Sequence, residues 1–169
     1  MSSLGGMWVR LVSLLARFGL AAVWLISGWS KFSDPSQTVV AVRAYQLLPV
    51  DLVRPFAAVF PVAELVLGLL LLVGLAVRPA AIAGALVLVG LIAAIASAWA
   101  RGLSIDCGCF GGGGVAEGVD GWDYALEIAR DLGFLALGVW LAVFPRSPFA
   151  LGPGSRAPLS ATAQPSVAE

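Results

Sequence analysis

The sequence predicts an all-α membrane protein, a four-transmembrane-helix bundle. Two observations carry that prediction. Of the 169 residues, 60% are hydrophobic and only 12% are charged, against about 45–50% and about 25% in a soluble domain. Four stretches also reach the roughly 20 mostly apolar residues that a helix needs to cross a bilayer.

The first stretch runs from about Leu11 to Trp29, "LVSLLARFGLAAVWLISGW". Arg10 and the apolar run fit a signal peptide loosely, but no small-x-small cleavage site leads into a soluble domain, so it reads as an uncleaved span. The second runs from about Phe56 to Val77. A short turn at Arg78-Pro79 leads to the third, about Pro79 to Ala100, and proline suits the first turn of a helix. A connection this tight makes the two an antiparallel hairpin. The fourth, about Trp122 to Phe144, opens with polar "WDYALEIARD" and is apolar from Leu132.

These spans divide the chain into a short cytoplasmic N-terminus (1–10), the transmembrane domain (11–145) and a disordered cytoplasmic tail (146–169). From Gly152 the tail is Pro-, Ser- and Ala-rich without periodicity. In the loop between spans one and two, Val39, Val42 and Leu47 lie among polar residues, as in a short amphipathic helix on the membrane interface. Charge does not orient the bundle. Arg10, Arg78, Arg146 and Arg156 lie at one end and Lys31, Arg43, Arg54 and Arg101 at the other, so positive-inside counting ties.

A formal net charge of zero gives no electrostatic reason for a nucleic-acid partner. The absence of histidine excludes serine-histidine catalysis and histidine-based zinc sites. Ionisable residues nonetheless fall inside the spans: Arg17, Glu64, and Glu127, Arg130 and Asp131. At the bilayer centre each costs at least about 2.5–3.5 kcal/mol unless it finds a partner or water. The last three share a helical face, and Arg17 and Glu64 are expected to join them in a buried polar cluster. That cluster is either a structural ion-pair network or a proton or quinone pathway, with snorkelling to the interface as the third reading.

Both cysteines, Cys107 and Cys109, stand in "SIDCGCFGGGG" between spans three and four. One intervening glycine lets the backbone bend far enough to bring the sulfurs together. A disulfide closing so small a ring staples almost nothing and suits exchange better than structure. The glycines leave the backbone uncovered for an approaching sulfur. Arg101 nearby would favour a thiolate and Asp106 would oppose it at Cys107, which makes Cys109 the expected nucleophile. Two soft ligands fall short of a closed metal site, so no metal is assigned; a pair of inert thiols is the remaining alternative.

"CGCFG" after the third span, with "SGWSKFSDP" closing span one, "AYQLLP" in the first loop and "PVAELVLGLLLLVGL" in span two, resembles the methylamine-utilisation MauE family, relatives of the DoxX-like membrane proteins. The resemblance covers about residues 11–145. It implies a four-helix membrane protein associated with maturation of the disulfide-rich small subunit of methylamine dehydrogenase, beside a thioredoxin-like partner. The family's cysteine motif falls on Cys107 and Cys109 with Phe110 and Gly111.

The resulting expectation is a multi-pass cell-membrane protein with the cysteine loop outside and both termini in the cytoplasm. It would exchange disulfides with a thioredoxin-like or secreted partner; the alternatives are a non-catalytic scaffold for a soluble oxidoreductase and a small-solute transporter. No cofactor is evident. A quinone is one membrane acceptor that would fit, with Trp24, Trp29 and Trp99 flanking its headgroup, although interfacial aromatic belts explain those tryptophans equally.

Overall fold

The structure, a computed structural model, describes residues 2–156, with side chains from Gly6 onward. Its elements are α1 (Ser2–Ser33), α2 (Pro35–Ala44), α3 (Val50–Val73), α4 (Val77–Ala100), β1 (Ile105–Asp106), β2 (Gly114–Val115) and α5 (Gly121–Val143). Four helices are long. Three of them, over Gly6–Ser33, Val50–Val73 and Val77–Ala100, are long and apolar enough to cross a membrane. At 1.5 Å per residue, 24 residues reach about 36 Å, enough for a hydrocarbon core of about 30 Å. The fourth, α5, carries Asp123, Glu127, Arg130 and Asp131 in its first half. Leu15, Val59 and Leu86 point outward, each about two-thirds exposed, as side chains facing lipid do.

Helix ends follow local chemistry. Asp34 caps α2 by accepting from the Gln37 N–H, with Pro35 at the first helical position. Asp120 and Asp123 cap α5 reciprocally. The turn between the second and third spans sits earlier than Arg78-Pro79. Gly74 takes a left-handed conformation after α3, and its N–H and that of Leu75 return to the Leu70 carbonyl. Pro79 is thereby the third residue of α4.

The two helices of that hairpin are not each other's main partners. α1 packs chiefly on α3, and α4 on α5. Gly28 and Gly68 bring α1 and α3 into backbone contact: a Cβ on Gly28 would lie 3.0 Å from the Pro61 carbonyl oxygen, and one on Gly68 3.0 Å from Leu25 N. One apolar core, with Leu20, Trp24, Leu71, Ala81, Leu88 and Leu141, fills the half of the bundle near the α3–α4 turn. A smaller one, with Ala44, Ile95, Ala98, Ile105 and Tyr124, lies at the opposite end, under the cysteine loop.

Three expectations are corrected. α1 begins at Ser2, so residues 2–10 are the first turns of a helix and not a separate segment. Residues 146–156 are not disordered: the chain folds back on the α3–α4 turn, with the Leu151 and Gly152 N–H groups donating to the Val73 and Gly74 carbonyls and Ser147 fully buried. Residues 157–169 of the expected tail lie outside the described residues. The first loop does contain a short helix, α2, but it buries Thr38, Ala41 and Ala44, with Ala41 against Gly108 and Gly113 and Ala44 beside Ile95, Ala98 and Ile105, and Leu47 beyond its end is exposed. The helix is a cover over the cysteine loop.

Candidate functional site

The cysteine loop is a tight structure turned inward. β1 and β2 pair antiparallel, Ile105 opposite Val115 and Asp106 opposite Gly114. Tyr124, from the first turns of α5, anchors the pair: its hydroxyl accepts from the Ile105 N–H at 3.1 Å and donates to the Leu103 carbonyl at 2.6 Å. Between the strands, Gly108 and Gly113 adopt positive φ and pack on α2. A Cβ on Gly113 would lie 2.7 Å from Gly108 Cα and 2.8 Å from Ala41 Cβ. Gly108 and Gly113 therefore serve close approach to α2, which covers them. Gly111 and Gly112 stay exposed, so the loop's backbone is open only there.

Cys109 is buried as a result, and Cys107 is half-buried. The Cys109 carbonyl lies 2.7 Å from Ser27 Oγ. Ser27 Oγ also sits 2.9 Å from Glu64 Oε1 and receives a hydrogen bond from Lys31 Nζ at 2.7 Å. Its single proton serves one acceptor at a time, and Lys31 holds Glu64 in either case, at 2.7 and 3.0 Å to its two oxygens. Glu64, deep in α3 and 1% exposed, is thus neutralised by Lys31 in the last turn of α1 while Ser27, one turn earlier, grips the loop.

The Cys107 sulfur receives the Cys109 N–H at 3.4 Å and lies 3.8 Å from Arg130 Nη2. Arg130 is held by Asp131, Nε to Oδ1 at 3.0 Å, and lies over the Phe110 ring. The Cys107 thiol is pushed down to about 6: the hydrogen bond from the Cys109 thiol contributes most, and the Cys109 N–H, Glu127 and Arg130 add to it against the opposing effect of burial. Cys109 moves the other way, because it is the donor of that bond and is desolvated. Both shifts favour the thiolate at Cys107 over Cys109, where Asp106 and Arg101 alone predict the opposite. Arg101 instead donates to the Ser97 and Tyr45 carbonyls. Among the described residues, Asp106, Cys107 and Glu127 also bring their ligand atoms within 4.8 Å of one another. They are the side chains that a cation would meet here, although the Arg130 guanidinium already supplies positive charge to the sulfur.

The expected single polar cluster is split. Glu127, Arg130 and Asp131 do share the face that meets Cys107, and Glu64 stands with Ser27 and Lys31 under Cys109. Arg17 joins neither. It is fully buried near Gly74 and Ala150, in the other half of the bundle, stacked on Phe18 and without a hydrogen-bond partner among the described residues. The three tryptophans do not frame a common site: Trp24 is buried against Gly84, Trp29 is exposed beside Phe32, and Trp99 stacks on Tyr124. Sequence reasoning assigned no role to Ser27, Lys31, Tyr45 or Tyr124. A serine and a lysine four residues apart at the end of a span were the available signal.

Helices of this length and apolarity, with a thiol pair folded into one end of their bundle, define a multi-pass α-helical membrane protein with a built dithiol site. The chain belongs to the MauE family: the profile of methylamine utilisation protein MauE matches residues 9–144. No curated protein and no solved structure matches the chain.

Proposed function

We propose that this protein exchanges disulfides with an extracytoplasmic protein through Cys107 and Cys109. One observation carries the reading: Cys107 is both the more exposed sulfur and the one beside Arg130. A partner thiolate attacks Cys107 Sγ of the oxidised pair, the Cys107–Cys109 bond breaks, and Cys109 takes up a proton. The partner's second thiolate then attacks its own mixed-disulfide sulfur and expels Cys107 as a thiolate. The partner leaves with a new disulfide and this protein is left as the dithiol. A cation at Cys107 makes it the better leaving group in that second step.

Disulfides persist outside the cytoplasm, so the loop and α2 face the exterior. The Ser13 hydroxyl donates to the Phe144 carbonyl at 2.9 Å, which puts the start of α1 beside the end of α5; both lie on the cytoplasmic side. The partner is a thioredoxin-like or secreted redox protein; family membership supports methylamine utilisation as the setting, and maturation of the methylamine dehydrogenase small subunit is the role this reading gives the exchange.

The test is trapping in cells. In Cys109→Ser the Cys107 thiolate attacks the disulfide of an oxidised partner and Cys109 is no longer there to release that partner reduced, so a reductant-sensitive covalent complex accumulates, and Cys107→Ser abolishes it. A membrane-impermeant maleimide labels Cys107 in intact reduced cells. If neither monothiol variant forms a complex and both leave partner disulfides intact, the scaffold reading replaces exchange; the burial of Cys109 is what favours it.

A further inference from the structure

Exchange leaves a dithiol that must give up two electrons before it can act again. Beside Cys107 there is a cavity of about 370 Å³, walled by α3 and α4 and covered by α2 and the cysteine loop. Ligand sites span about 300–1,000 Å³. Its lining is mostly apolar, with Phe56, Phe60 and Leu91 along the walls. Its polar groups gather at the loop end, where Cys107, Lys31 and Gln37 meet it. Gln37 donates one amide proton to the Gly113 carbonyl at 2.6 Å and has a second to give.

We infer that this cavity binds a lipid-soluble quinone, its ring at Cys107 and its isoprenoid tail along α3 and α4. The inference rests on the dithiol reading above. An acyl chain would have no use for the polar end. A soluble disulfide would have no use for the apolar walls along α3 and α4. A flat ring with two hydrogen-bond-accepting oxygens on an apolar tail matches both ends. In the step, the Cys107 thiolate and the Cys109 thiol form the S–S bond as the Cys109 S–H bond breaks. Two electrons pass to the quinone, whose oxygens take the Cys109 proton and one proton from solvent, giving the hydroquinone.

Gly90 lines the cavity, and a Cβ there would meet nothing within 4 Å. Gly90→Leu therefore fills the space without forcing the backbone. The experiment uses the full chain in detergent and decylubiquinone under anaerobic conditions. The reduced protein is expected to lose two free thiols per quinone reduced. Binding is measured separately, on the redox-inactive Cys107→Ser/Cys109→Ser protein, where Gly90→Leu is expected to weaken it about tenfold or more. An azidoquinone is expected to label Phe56, Phe60 or Leu91 in the otherwise unaltered chain, a readout that survives if Gly90→Leu fails to fold. Quinone binding without thiol loss would sink the dithiol reading and leave the cavity assignment standing. Partner trapping with no quinone binding, or labelling confined to other residues, would overturn the cavity assignment alone.

Discussion

Arg130 Nη2 stands 3.8 Å from Cys107 Sγ, although 23 positions separate the two residues. The contact joins the first half of a charged helix to a loop that precedes it. It gives Arg130 and its holder Asp131 a use at the loop end of the bundle, and it adds to the hydrogen bonds from Cys109 that favour the thiolate at Cys107.

The pH dependence of alkylation at Cys107 follows from that contact. Only the thiolate reacts, so the rate is at its plateau above the folded pKa and falls as pH drops through about 6. Arg130→Gln removes a stabilising cation and raises the midpoint. A rise of one unit would cut the rate about tenfold well below the midpoint. Iodoacetamide kinetics between pH 5 and 9 check this; an unchanged midpoint would remove Arg130 from the account.

The Cys109 thiol is the principal stabiliser of the Cys107 thiolate. Cys109→Ala is accordingly expected to raise the Cys107 midpoint more than Cys109→Ser, because a hydroxyl still donates. Alkylation profiles of the two monothiol variants, compared directly, give the answer.

Lys31 and Glu64 form a pair buried on both sides, 11% and 1% exposed. Truncating one partner of such a pair costs about 3–5 kcal/mol because the other charge is stranded. Glu64→Gln and Lys31→Met should each lower the unfolding midpoint in detergent sharply. The double variant should recover most of the loss, and failure to recover would show that the pair is not the source of the cost.

Gly113→Ala places a Cβ against Gly108 and Ala41 at positive φ, so the loop must lift from α2. Cys109 is then expected to become accessible to alkylation under native conditions. If Cys109 stays protected, the loop is held by Ser27 and Tyr124 alone.

Tyr124→Phe deletes the hydroxyl's hydrogen bonds and leaves the buried Ile105 N–H without its acceptor, a loss of about 1–3 kcal/mol. Hydrogen exchange at Ile105 should accelerate, while amides in the second half of α5 stay protected.

Much of the fold was legible because a bilayer imposes long apolar runs, and those runs are written consecutively. The thiol pair and the shared face of Glu127, Arg130 and Asp131 were legible for the same reason: both are local spacings. The turn was misplaced because Arg78-Pro79 drew attention from Gly74, the residue whose left-handed conformation ends α3. The single polar cluster failed because spacing along a helix says nothing of depth relative to another helix, and Arg17 belongs to the opposite half of the bundle. A glycine run does not say which of its members are covered: Gly108 and Gly113 let α2 lie directly on the loop, while Gly111 and Gly112 stay exposed.

The amino-acid order by itself determined that this is a membrane bundle, where its spans run and that two cysteines stand one glycine apart in a loop. Tertiary structure alone decided that the loop folds inward, that Arg130 and not Arg101 faces a sulfur, and that the surroundings favour a thiolate at Cys107 over Cys109. The physical reason is range. Hydropathy and backbone conformation are properties of neighbours in the chain, whereas a thiol's ionisation depends on charges and hydrogen-bond donors a few ångströms away, and only packing brings α1, α2 and α5 to one place.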